Sequence, residues 1–119
     1  MESILNSIKK FVGVGPDDTS FDEEIILDIN SVFFVLQQLG IGLNTTTPFT
    51  IEDDSAEWSD FVEDRLYEAC KTYMGFKVKM AFDPPASSFL ADTINKQIAE
   101  YETRLTYAVD EHHNYYKDE

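Results

Sequence analysis

Between residues 20 and 39, apolar side chains recur at spacings of three and four. Phe21, Ile25, Ile29, Val32, Phe33, Leu36 and Leu39 form one stripe, which is the period of a helix and not of a strand. Ile26, Leu27, Phe34 and Val35 add a second apolar face. A helix apolar on most sides is covered centrally or by a neighbouring subunit. The start is marked by Ser20, an expected N-cap, with Glu23 three residues on as in a capping box. Asp22, Glu23 and Glu24 put negative charge at the positive end of the helix dipole. Gly40 and Gly42 stop the helix.

Three further helices are expected around it. The first spans about residues 2–12, with Ile4, Leu5, Ile8, Phe11 and Val12 on one stripe, and ends at Gly13, Gly15 and Pro16. Residues 41–56 read as a loop, with a short extended segment near Phe49 and Ile51. A third helix is expected from about Glu57 to Phe82, with Trp58, Phe61, Val62, Leu66, Ala69, Cys70, Tyr73 and Met74 inward. Asp83-Pro84-Pro85 breaks it, because two prolines cannot extend a helix. The fourth starts at Ser87 or Ser88 and runs to about His112, with Leu90, Ile94, Ile98, Tyr101, Leu105, Ala108 and Val109 as its stripe. Beyond Asn114 a mobile or extended tail is expected. The fold class is therefore all-α: a small bundle of about four helices, the third and fourth long, with an extended C-terminal tail. Residues 1–110 form the helical domain, and residues 111–119 the tail.

The chain of 119 residues carries 23 acidic and 9 basic side chains, a net charge of −14. That balance argues against gripping nucleic acid through its phosphates, which takes clustered Lys and Arg. The charge is uneven: residues 1–60 hold twelve acidic and two basic groups, the rest eleven and seven. One cysteine, Cys70, excludes an intramolecular disulfide framework. The longest unbroken apolar run, Val32–Leu36, is far short of the ~20 residues that cross a bilayer, so no membrane partner is expected. The first residues do not read as a secretory signal.

Residue constellations that could carry chemistry are weak. Gly13-Val14-Gly15 lacks the third glycine of a phosphate loop, since residue 18 is Asp18, and reads as a turn between helices. Adjacent helical residues point about 100° apart, so His112 and His113 cannot chelate one ion as an i, i+4 pair does. Glu52, Asp53, Asp54 and Glu57 lack the glycine and spacing of a calcium loop and read as helix-start charge. Cys70, on an apolar stripe, reads as a buried thiol. Asn44-Thr45-Thr46 matches a glycosylation sequon by chance in a polar loop. No catalytic residue, metal ligand or cofactor site is expected. Tyr107, Tyr115 and Tyr116 lie at or beyond the end of the last stripe, and tyrosines outside a core are common interface anchors.

An ordered series of short segments runs along nearly the whole chain. It comprises Asp17-Asp18-Thr19-Ser20-Phe21-Asp22-Glu23-Glu24, Leu36-Gln37-Gln38-Leu39-Gly40, Pro48-Phe49 and Trp58-Ser59-Asp60-Phe61. Lys71-Thr72-Tyr73, Lys77-Val78-Lys79, Phe82-Asp83-Pro84-Pro85, Ser87-Ser88-Phe89, Lys96-Gln97-Ile98 and Glu102-Thr103-Arg104-Leu105 follow. In this succession the chain resembles the head–tail connector (adaptor) proteins of tailed double-stranded DNA bacteriophages. The resemblance implies a non-enzymatic virion protein of the neck, made in the bacterial host cytoplasm. Its copies would form a ring, expected to be dodecameric, beneath the portal protein. The ring would extend the DNA channel without binding the viral DNA specifically, and would offer a face to the next neck or tail-completion protein. The family's use of its C-terminal segment on the portal maps loosely to Tyr107, His112, His113, Tyr115 and Tyr116. The second apolar face suggests Ile26, Phe34 and Val35 for contacts between subunits. The alternative for so acidic a chain is a DNA-mimic inhibitor protein, and a small hydrolase is the remaining rival.

Overall fold

In a computed structural model, which describes the backbone of residues 2–117 and the side chains of residues 2–109, five α-helices and one short 3-10 turn follow one another. They are α1 (Ile4–Phe11), α2 (Asp22–Gln38), α3 (Trp58–Phe61), the 3-10 turn Asp64–Leu66, α4 (Tyr67–Phe82) and α5 (Ser88–Lys117). Among the described residues there is no strand, and one isolated antiparallel bridge joins Ser3 to Glu57. The all-α expectation holds.

α4 is the central element, packed by α1, α2 and α5. Ile4, Leu5 and Ile8 of α1 meet Ile25, Ile29, Phe33 and Leu36 of α2 and Cys70, Tyr73, Met74 and Val78 of α4 in one buried cluster. Phe33, Phe49, Trp58 and Phe61 stack at its centre, with Phe33 and Phe61 ring centroids 4.5 Å apart. The Trp58 indole N–H donates to the Ser7 hydroxyl at 2.8 Å, which in turn donates to the Ile4 carbonyl at 2.8 Å. A buried polar group thus has its partner.

Two helices end in the same device. Gly13 (φ 84°) and Gly40 (φ 89°) take the left-handed conformation open to glycine. Behind Gly40, the Ile41 N–H bonds the Leu36 carbonyl at 2.9 Å and the Gly40 N–H bonds the Gln37 carbonyl at 3.0 Å. This paired arrangement satisfies carbonyls that a helix end leaves free and buries Ile41 beside Leu36.

The structure corrects three sequence expectations. The helix expected from Glu57 to Phe82 is broken: Val62 is extended (φ −139°, ψ 151°), and a 3-10 turn separates α3 from α4. The Phe61 carbonyl accepts the Leu43 N–H at 2.7 Å, so the 41–56 loop takes a group that helix continuation would have used. Ser20 does not cap α2. Asp18 accepts both the Ser20 backbone N–H and its hydroxyl, and α2 begins after Phe21 without a side-chain cap. Finally, α5 does not stop near His112: the tail from Asn114, expected to be mobile or extended, is helical to Lys117. The expected cap at its other end is present, with the Ser87 hydroxyl accepting the Leu90 N–H at 3.4 Å.

The 41–56 loop is tied to α2 by two amides seven residues apart. Asn30 accepts from the Ile51 N–H at 2.9 Å and donates to the Ile51 carbonyl at 3.1 Å. Gln37 donates to the carbonyls of Asn44 and Thr47 and accepts from the Phe49 N–H. These bonds replace the ladder that a strand would have supplied to an otherwise irregular segment.

Candidate interaction surfaces

Among the described residues, no group of three or more His, Cys, Asp or Glu side chains is placed to hold a metal ion. Cys70 is buried, and desolvation pushes its thiol up to about 12, so it stays protonated and unreactive at neutral pH. Asp53, in the acidic segment considered for calcium, accepts the Ser55 backbone N–H and hydroxyl, which holds its carboxyl below the usual range. Asp60 accepts the Glu57 N–H at 2.9 Å, closing the start of α3. Both carboxylates have local structural work. Gly13 ends α1, as the turn reading expects.

Charge is used for fastening instead. Lys9 of α1 is 1% exposed, yet its ammonium lies 2.8 Å from an Asp22 carboxylate oxygen and donates to the Pro16 carbonyl at 3.3 Å. It thereby joins α1 to the first turn of α2. Glu2 accepts from Lys71 at 2.8 Å and from the Tyr67 hydroxyl. The Lys71 bond, then the Tyr67 bond, hold the Glu2 carboxyl below its ordinary value. Burial, then its bond to Glu102 at 2.8 Å, push the Tyr73 phenol upward. The buried Lys9 had no sequence signal, because lysine at the end of a short helix reads as a solvated cation.

Several large apolar side chains are exposed. Leu27 (68% exposed) and Phe34 (61%) project from α2, seven residues apart with exposed Ser31 between them. Leu43 follows just past the end of α2. Phe89 (76%) and Leu90 project from the first turn of α5, and Tyr107 stands out farther along it. Phe11 and Phe21 are also part-exposed, but each has an edge-to-face ring partner, Phe76 and Phe82 respectively.

Of the residues suggested for subunit contacts, Phe34 is in the open. Ile26 is half-buried against the core, and Val35 is half-buried on α2. Of those suggested for the portal, Tyr107 flanks a shallow groove of about 530 Å³ with Glu102, Thr103 and Thr106. His112, His113, Tyr115 and Tyr116 lie outside the residues whose side chains are described. Sequence reasoning missed Phe89, which it used only as part of a segment resemblance, and assigned Leu90 to the core stripe.

The sequence model of the phage connector protein family matches residues 4–112. The chain belongs to the phage connector family. The match begins at the first residue of α1 and runs through most of α5, so it takes in the whole helical body. This is a family of structural head–tail connectors and not of enzymes. No curated protein and no solved structure matches this connector. Among its described residues, no helix is long and apolar enough to cross a membrane. Tyr107 falls inside the matched stretch, whereas His113, Tyr115 and Tyr116 fall beyond it.

Proposed function

We propose that copies of this connector form a ring beneath the portal, extend the DNA channel and link the capsid to the tail. The observation that carries the reading is the family match across residues 4–112. The exposed apolar residues on α2 and α5 support it, because a chain that works alone rarely leaves large apolar side chains in clusters. Tyr107 and the α5 segment from His112 to Tyr116 are the proposed portal contact, and the ring is expected to match the portal's twelve-fold symmetry. The opposite face would receive the next neck or tail-completion protein. The net charge of −14 suits a channel wall, since repulsion lets a duplex slide where a basic wall would hold it.

Electron microscopy of the chain mixed with the portal ring of the same phage tests this. The expected image is an added ring of density, coaxial with the portal, on one of its faces. Deleting residues 111–119 should weaken attachment and leave the helical body folded, because Leu105, the one buried side chain among the described residues of α5, is retained. Portal rings that never gain density at saturating connector would overturn the reading.

A further inference from the structure

We propose that Phe89 and Leu90 of one copy seat on the exposed Phe34 side of α2 in the next copy, in a head-to-tail contact that can close into a ring. The proposal rests on the connector reading and names the surfaces through which copies of this chain meet.

The first support is the distribution of charge. In a chain that is more than one-quarter charged, residues 29–51 contain no Asp, Glu, Lys or Arg. Residues 84–91 contain none either, and Asp92 and Lys96 just beyond cancel. These two neutral stretches carry Phe34 and Leu43, and Phe89 and Leu90, all exposed; Leu43 also borders a groove with Glu63 and Arg65, which pair with each other, so Phe34 is the charge-free point on α2. Elsewhere, copies with a net charge of −14 would bring carboxylates together within a Debye length of about 8 Å, where repulsion is unscreened. Neutral apolar surface is therefore where one copy can touch another. A cationic partner would instead favour the exposed carboxylates at Glu52, Asp53 and Asp54. Leu27 sits at the acidic edge of the α2 face, next to Asp28 and one turn from Glu24, so the contact centres on Phe34.

The second support is placement. α2 and α5 each pack on α4. The end of α2 comes up to the far part of α5, where a Cβ at Gly40 would lie 3.2 Å from the Val109 side chain. Phe89 is twenty residues before Val109 on the same helix, about 30 Å at 1.5 Å per residue. The molecule is 49 Å in its longest dimension. The two neutral patches thus occupy different ends of the molecule. Two unlike patches that join head to tail leave a free patch of each kind at the ends of every partial assembly, so growth continues past the dimer and ends in a ring where the rotation per copy closes.

Sedimentation velocity in ~1 M sodium chloride, where the Debye length is about 3 Å, reads the contact directly. The wild-type chain should sediment as species larger than a dimer. Phe34→Asp and Phe89→Asp should each remain monomeric with unchanged circular dichroism, since both side chains are exposed. An equimolar mixture of the two should give dimers and nothing larger, because one intact contact remains per pair. Ser59→Asp, exposed on α3, controls for added charge and should assemble like wild type. The proposal is overturned by a wild type that stops at the dimer, by either Phe variant assembling normally, or by a mixture that stays monomeric. A wild-type chain that stays monomeric in this salt also overturns it, while a ring built only on the portal would leave the connector reading standing.

Discussion

α1 and α5 differ in what they give to the fold. α1 has eight residues, and five of them, Ile4, Leu5, Ser7, Ile8 and Lys9, are buried. α5 has thirty residues, and of its described side chains only Leu105 is buried. An isolated eight-residue helix would not persist in water, so α1 exists because its faces are covered. It is held by core packing, by the Ser3–Glu57 bridge and by the Lys9–Asp22 ion pair. α5 lies along α4 through Ile98, Tyr101, Leu105, Ala108 and Val109 and leaves its first turns open. α1 leaves only Asn6, Lys10 and Phe11 exposed, whereas a helix held along a single seam presents most of its surface. In this connector the short helix is mostly buried scaffold, and the long one leaves most of its described side chains exposed.

The comparison breaks first at Trp58. Trp58→Ala should cost about 3–5 kcal/mol by cavity formation, and it also strips the buried Ser7 hydroxyl of its indole donor. Urea denaturation followed by circular dichroism would measure it, and a loss below about 1 kcal/mol would mean that α1 is not held from this side. Leu105→Ala should cost about 2 kcal/mol, the low end for such truncations, because its seam is open enough to relax. Proteolysis should then cut α5 before the rest of the chain.

Gly75→Ala is a sharper probe of how closely α1 is seated. Alanine in an exposed helix interior would stabilise by about 1 kcal/mol over glycine. A Cβ here would come within 2.6 Å of the Phe11 ring, at the end of α1, so the expected result is a loss of about 1–3 kcal/mol from overpacking. A gain in thermal midpoint would show that Phe11 swings aside freely. The smallest effects concern the caps. Ser87→Ala, at the start of α5, should cost about 1 kcal/mol. Ser20→Ala should change stability by less than about 0.5 kcal/mol, because its hydroxyl bonds Asp18 and not the helix. Denaturation midpoints of the two variants side by side would decide it.

Much of this architecture was legible in the sequence. The stripes of α1, α2 and α4 predicted most buried residues, but Phe11 and Phe21, counted in them, are exposed; the glycines ended α1 and α2 where their conformational freedom is needed. The break between α3 and α4 was not legible. Val62 and Leu66 keep helical spacing and are both buried, and what interrupts the helix is a backbone bond from Leu43, remote in sequence. Ser20 misled because a capping box and an Asp18 turn compete for the same hydroxyl. The stripe of α5 overstated its burial, since periodicity reports an apolar face without saying whether this chain or another covers it. Of the candidate contact residues, Phe34 and Tyr107 are as open as an interface role needs, while Ile26 serves the core. Phe89 carried no periodic signal, and only its exposure beside a charge-free stretch brings it out.

Cross-linking mass spectrometry of purified virions would test the central claim in the particle itself. The account predicts cross-links from this chain to the portal protein through the α5 segment beyond Tyr107. It also predicts cross-links between copies from Asp92 or Lys96, just past the first turn of α5, to Glu63, which borders the groove at Leu43. Cross-links to tail proteins alone, with none to the portal and none between copies, would contradict it.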